Sequence, residues 1–186
     1  MSWVVFLRAL NVGGANRCQP ARIAKELAKF DIVNIGAVGS FVVRKDVSES
    51  ALRSAIAKKL PFKCEIMICS ARDLLKLAKT DPFARQPSGP DITRFVNVLH
   101  KPLRKPLPLP LPVNLPSEED WLLKVIAIKH RFVLGLYRRQ MKAISYLGKI
   151  EKQFGVAATT RNWNTIEKVV KILKEGAKEL PQKRTK

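Results

Sequence analysis

Acidic residues are scarce in this chain: 15 Asp and Glu stand against 35 Lys and Arg. Histidine is scarcer, with only His100 and His130. Neither has a carboxylate or cysteine near it in sequence, and no CxxC, HExxH or DxD pattern occurs. There is no GxSxG turn and no P-loop lysine. These absences weigh against metal-dependent hydrolysis and triad chemistry. No metal or other cofactor is expected.

Cysteine is sparse as well. Cys18, Cys64 and Cys69 make an odd count without framework spacing, which argues against a disulfide-built secreted fold. Cys64 and Cys69 are expected on one strand, facing opposite sides, and all three thiols are expected to pack as small hydrophobes. No apolar run approaches the roughly 18 residues of a membrane span. The apolar stretch Trp3–Leu7 is too short for a signal peptide, and no basic region precedes it. The expectation is a cytoplasmic protein with no membrane partner, taken as a monomer.

What is present can build a core. The chain has 186 residues, of which 46% are hydrophobic, enough for one substantial core or two small halves. Trp3 to Arg8 reads as a buried strand, ended by the breaker Asn11-Val12-Gly13-Gly14-Ala15-Asn16. Pro20 starts a helix carrying Ile23, Leu27 and Phe30. Strands are expected over 32–38 and 41–44, around a turn at Gly39-Ser40. Ser48 caps a helix with Leu52, Ile56 and Leu60 on one face, and Pro61 ends it. A fourth strand runs from Cys64 to Cys69. The order β-α-β-β-α-β predicts a ferredoxin-like half over residues 1–70.

Residues 71–178 echo that order imperfectly. Ser70 caps a helix to Lys79, and a strand follows over 92–99. Residues 121–128 and 131–137 form a hairpin turning at Lys129-His130. A helix from about Arg138 to Phe154 stops at Gly155, and a last helix covers about 164–175. In between, residues 101–116 hold Pro102, Pro106, Pro108, Pro110, Pro112 and Pro116. That excludes an interior helix or a central strand and predicts a stiff extended connector. It contains no PxxP for a proline-reading partner. Residues 179–186 are a basic tail. The fold class is therefore α+β, with two ferredoxin-like subdomains packed into one unit and additional C-terminal helices.

The net charge of +20 points to polyanions, nucleic acid first. The bland alternative spreads the cations over every solvated face. Candidate contacts on the late helices are Arg138, Arg139, Lys142, Lys149, Lys152, Lys168, Lys171 and Lys174. The Gly13-Gly14 loop, with Arg8, Asn11 and Asn16 around it, could cradle an anion on backbone N–H groups, against the more usual role of glycines in a strand-helix turn, which is to serve positive φ.

The densest polar cluster is Thr159-Thr160-Arg161-Asn162-Trp163-Asn164-Thr165. Asn164 with Glu167 reads as a capping box, with Ile166, Val169, Val170 and Leu173 as the buried stripe behind it. Capping leaves Arg161, Asn162 and Trp163 unexplained. Trp163 is either a core anchor or a stacking platform for a base. Arg161 beside a helix N-terminus suggests an anion or a carboxylate between them.

Leu7-Arg8-Ala9-Leu10-Asn11-Val12-Gly13-Gly14-Ala15-Asn16 resembles the LRGINVGGKN opening of a bacterial family, domain of unknown function family 1697. Ser70-Ala71-Arg72-Asp73-Leu74 with Asp81-Pro82-Phe83 is similar to its SAEEL…NPF segment, and Ala158 to Val169 to its ATTRNWNTVxKL signature. The resemblance implies two ferredoxin-like subdomains and supplies no activity. Where that family has Gln-Ser-Gly-Asn, this chain has Val38-Gly39-Ser40-Phe41, so any site using those amides is altered.

Two functions stand as expectations. The first is a non-enzymatic binder of nucleic acid or another polyanion, with Arg161 and Trp163 as specific contacts. The alternative is a small-molecule enzyme taking a phosphate- or carboxylate-bearing ligand, with a site between the 11–16 loop and the 160–165 segment formed by Thr160, Arg161, Asn162, Trp163 and Asn164. A protein-interaction module using the proline segment is a third reading.

Overall fold

The computed structural model describes residues 2–11, 17–103 and 113–179. The protein is a mixed α+β molecule with two antiparallel sheets and five α-helices among the described residues. Its contacts divide it into two units, Met1–Ala78 with Thr165–Lys186, and Lys79–Asn164.

In the first unit, β1 (Trp3–Leu7), β2 (Ile32–Ile35), β3 (Ser40–Val43) and β4 (Ile66–Ser70) form a sheet ordered β2-β3-β1-β4. Helix α1 (Pro20–Glu26) packs on β2, and α2 (Glu49–Ala57) packs on β4. Strand alternation decides what each face holds. Val5, Leu7, Phe41, Val43, Ile66 and Ile68 project to one side and join Ile23, Leu27, Leu52 and Ile56 in a single core. The alternate residues Val4, Phe6, Val42, Met67 and Cys69 are buried too, so this sheet has no solvated face over its centre. Ser48 caps α2 as expected, its Oγ accepting from the Ala51 N–H at 3.3 Å.

Strand ends differ from the sequence reading at turns. β2 stops at Ile35 because Gly36 turns the chain at φ 71°, and Gly39 follows at φ 68°. Gly39 has no room for a side chain: an added Cβ would lie 2.8 Å from Leu10 and 2.9 Å from Leu7. Cys64 falls before β4 rather than on it, so strand alternation does not relate it to Cys69. Cys69 is buried and donates to the Val4 carbonyl at 3.5 Å, while Cys18 and Cys64 are half-buried. Helix α3 (Ala71–Lys79) follows β4 directly, and Ser70 Oγ accepts from the Arg72 N–H at 3.1 Å.

In the second unit, β5 (Ile92–Leu99), β6 (Val113–Leu115), β7 (Leu123–Lys129), β8 (Phe132–Arg138) and β9 (Ala158–Asn162) are ordered β6-β7-β8-β5-β9. Helix α4 (Met141–Gln153) packs on β7. Phe95, Leu99, Leu123, Val125, Val133 and Ala158 meet Ile150 and Phe154 there in a second core. The β7–β8 hairpin turns at His130, which adopts φ 57°. Gly155, at φ 62°, follows α4 as its expected stop. α4 begins at Met141, three residues later than expected, because Arg138 is the last paired residue of β8. Part of the proline-rich segment is itself a strand, β6 at Val113–Leu115, while residues 104–112 lie outside the described residues.

The largest departure is β9. From sequence, residues 158–162 carry no assigned element ahead of the last helix. They are an edge strand paired with β5, with Asn97 opposite Thr160 and Val96 opposite Arg161. Helix α5 (Trp163–Glu179) starts immediately after it, so Asn164 lies inside the helix and is not its N-cap. The basic tail from residue 180 is outside the described residues.

Candidate functional site

The candidate residues separate by what their side chains do. On β9, alternation splits the polar cluster into two sets. Thr160 shares its face with the core residues of β5, and its Oγ1 donates to Asn97 Oδ1 at 2.6 Å. Asn97 is 2% exposed, so this bond gives a buried amide oxygen a partner in an otherwise apolar layer. Thr159 and Arg161 take the other face and are buried, at 4% and 7% exposure. Arg161 Nη1 donates to Thr159 Oγ1 at 2.7 Å and to the Thr160 carbonyl at 2.8 Å. Burial pulls the Arg161 guanidinium down to about 10. It is still charged at neutral pH. Asn162 and Asn164 are exposed.

Trp163 is buried against Phe83, ring centroids 5.0 Å apart and planes at 66° in an edge contact. Arg94 lies over that Phe83 ring at 5.7 Å. Trp163 therefore has the surroundings of a core anchor, with no open face for a base.

The β1–α1 loop supplies a different arrangement. Gly13, Gly14 and Asn16 lie outside the described residues. Asn11 is described, and its amide is fully engaged. Nδ2 donates to the carbonyls of Cys18 at 2.9 Å and Ala37 at 2.7 Å, and Oδ1 accepts from the Cys18 N–H at 3.0 Å. Asn11 adopts φ 55°, a conformation asparagine tolerates better than most residues. It clasps the two ends of the loop together and ties them to the β2–β3 turn. Arg8 is half-buried, and its backbone N–H bonds the Glu65 carbonyl at 2.9 Å.

The basic candidates also sort. Arg138 is occupied: it pairs with Asp91 at 2.6 Å and lies over Trp121 at 4.7 Å. Arg139 donates to Thr93 at 3.3 Å and remains exposed. Lys142, Lys149 and Lys152 are exposed on α4 and make no ion pair among the described residues. Lys149 lies over Tyr146 at 5.1 Å. Glu151 is the only acid between Arg138 and Phe154. Met141 and Ile144, at 84% and 57% exposure, stand on the same helix. On α5, Lys168, Lys171 and Lys174 are exposed opposite the buried Ile166, Val169, Val170 and Leu173. There Glu167 and Glu175 are interleaved, and Lys171 comes within 4.0 Å of Glu175. No helix among the described residues is long and apolar enough to cross a membrane.

What sequence reasoning missed is the service each residue gives the fold. Asn97 and Thr160 pair across strands 63 residues apart in sequence, which no local pattern reveals. Asn11 and Ala37 meet across 26 residues in the same way.

Comparisons with known proteins agree with this architecture and add no activity. A family model described as "Protein of unknown function (DUF1697)" matches residues 1–111. No curated protein matches the sequence. Among solved structures, the conserved bacterial protein SP0830 from Streptococcus pneumoniae is similar, with a TM-score of 0.55 at 15% identity. The match covers 92% of this chain and 98% of that one, and it speaks to the fold alone.

Proposed function

Because the chain belongs to the family of proteins of unknown function DUF1697, its relatives lend it no activity, and we propose that it is a non-enzymatic binder of nucleic acid or a similar polyanion. The observation that carries this is the solvated face of α4. Lys142, Lys149 and Lys152 are exposed and unpaired among the described residues, with Arg139 at the helix start. Lys142 and Lys149 are two turns apart, about 10 Å along the axis, and Lys152 stands about 4.5 Å beyond. Free ammonium groups at such intervals can follow a phosphate backbone and release its counterions. Met141 and Ile144 are exposed apolar side chains on the same helix, although helical spacing turns Ile144 away from Lys142 and Lys149. The α5 lysines contribute less, because Glu167 and Glu175 stand among them.

The scaffold of this reading is a pair of ferredoxin-like subdomains. Its support is topological. Residues 3–70 run β-α-β-β-α-β in the order β2-β3-β1-β4. With β6 set aside, the second sheet runs β7-β8-β5-β9, and α4 stands before its last strand as α2 does in the first. In chain order the proline-rich segment stands between β5 and β7, where the first half has α1.

The test is a salt titration of binding to labelled single-stranded RNA, single-stranded DNA and duplex DNA, with heparin as the nonspecific control. Replacing Lys142, Lys149 and Lys152 by Gln should flatten the log K against log salt plot by about two to three. Replacing Lys168, Lys171 and Lys174 should flatten it less. Equal effects of the two triple variants, or heparin competing as well as any nucleic acid, would reduce the charge to a nonspecific field.

A further inference from the structure

The first unit has an open, solvent-facing pocket of about 500 Å³ whose described lining is Asn11, Arg17, Cys18 and Gln19. Its size falls within the range of small-molecule sites, roughly 300–1,000 Å³. Its chemistry is one-sided. Asn11 is spent on the clasp, bonding the Cys18 and Ala37 main chain. The groups left for a ligand are one guanidinium, one carboxamide and one thiol. Arg17 is exposed and makes no ion pair among the described residues. Gln19 is exposed, and its side chain forms no capping hydrogen bond to α1. No carboxylate appears in that lining.

A planar guanidinium and a carboxamide together match an oxyanion. The first donates two parallel N–H bonds to a carboxylate or phosphate, and the second can donate to a remaining oxygen. The thiol does not oppose this. Burial pushes Cys18 above its usual range, so it stays neutral at physiological pH and adds no repulsion. The clasp holds Cys18 in place from two sides, which fixes one wall before any ligand arrives.

We propose that this pocket binds a metabolite-sized organic anion, its carboxylate or phosphate held by Arg17 and Gln19. The site shares no residue with the α4 lysines and stands whether or not they bind polyanions. Binding would cover Cys18, and that provides the measurement.

The experiment follows alkylation of Cys18 by iodoacetamide in the full-length protein, with mass spectrometry to separate Cys18 from Cys64 and Cys69. The probes are citrate for the carboxylate arm and pyrophosphate for the phosphate arm, at about 150 mM salt to screen the diffuse field. Saturable protection of Cys18 by one probe is expected. Arg17→Gln should weaken it by about tenfold or more, the effect of losing a charged hydrogen bond. Gln19→Ala should weaken it less, and the Lys142→Gln, Lys149→Gln, Lys152→Gln variant not at all. Two results overturn the proposal: no protection by either probe, or protection lost equally in the Arg17 and the lysine variants. Should Arg17→Gln perturb the fold, Gln19→Ala alone still decides, because an unchanged midpoint there would remove the carboxamide from the site.

Discussion

Gly135 on β8 lies directly opposite Phe95 on β5, and the Phe95 ring fills the space where a side chain at 135 would be. A Cβ there would sit 2.5 Å from the ring and would also run into the Lys124 carbonyl of β7. The glycine is a packing requirement of the second core, set by close approach from two neighbouring strands.

Gly135→Ala should therefore destabilise the protein by about 1–3 kcal/mol, the usual range for overpacking a well-filled core. The melting temperature should drop by roughly 2–4 °C per kcal/mol for a chain of this size. Gly148 on α4 is the control, since a Cβ there meets nothing within 4 Å. Gly148→Ala should stabilise the helix by up to about 1 kcal/mol. Paired thermal melts check both signs.

Local chemistry was readable where one residue sets one feature. Ser48 as a cap, Gly155 as a stop and the hairpin at His130 follow from propensity and spacing, and the structure has all three. Residues 158–162 were not readable, because Ala-Thr-Thr-Arg-Asn has no alternation of apolar and polar residues. Its strand exists through pairing with β5, and its Arg lies on a buried face. Part of the candidate site misled for the same reason. A dense run of amide, hydroxyl, guanidinium and indole groups looks like a binding surface in one dimension. In three, Thr160 and Arg161 are engaged by the fold around them.

Asn97 and Thr160 form a buried cross-strand pair whose energy a double-mutant cycle can isolate. Thr160→Val leaves Asn97 Oδ1 without that donor and should cost about 1–3 kcal/mol. Asn97→Leu combined with Thr160→Val should cost less than the sum of the single changes, with a coupling of about 0.5–3 kcal/mol. Urea titrations of the four proteins measure it. Strict additivity would mean the bond contributes nothing to stability.

Asn11 clasps the loop through three hydrogen bonds of its amide. Asn11→Ala removes three hydrogen bonds and puts alanine, which tolerates the left-handed region less well than asparagine, at φ 55°. A loss of about 1–3 kcal/mol is expected, together with faster alkylation of Cys18. Asn11→Asp keeps an acceptor for the Cys18 N–H and loses both donated bonds, so it should be intermediate. Unchanged Cys18 reactivity in Asn11→Ala would show that the loop is held by other contacts.

The thiols give a pH dependence with a definite sign. Cys18 and Cys64 titrate above the ordinary 9.0, Cys18 through burial and Cys64 through burial first and then the charges of Cys18 and Glu65. A thiol whose folded value is raised loses its proton first in the unfolded chain. Stability should then be level below pH 9 and fall as pH rises past it. Replacing both Cys18 and Cys64 by Ser should reduce that fall. Alkylation of both thiols near pH 8 should be slower in the native protein than in urea. Denaturant midpoints from pH 7 to 10, with and without the serines, test the linkage.

Trp163 separates the fold from the function most cleanly. It is 6% exposed and meets Phe83 edge-on, so its truncation creates a cavity. Trp163→Ala should cost about 3–5 kcal/mol of stability, and Trp163→Phe, which preserves an aromatic contact, distinctly less. Binding to RNA, DNA or heparin, measured where each variant remains folded, should be unchanged if the proposed α4 interface holds. A salt titration beside a urea titration of the same samples decides between the two roles. Weaker nucleic-acid binding at unchanged stability would make Trp163 a stacking contact and move the interface from α4 to the start of α5.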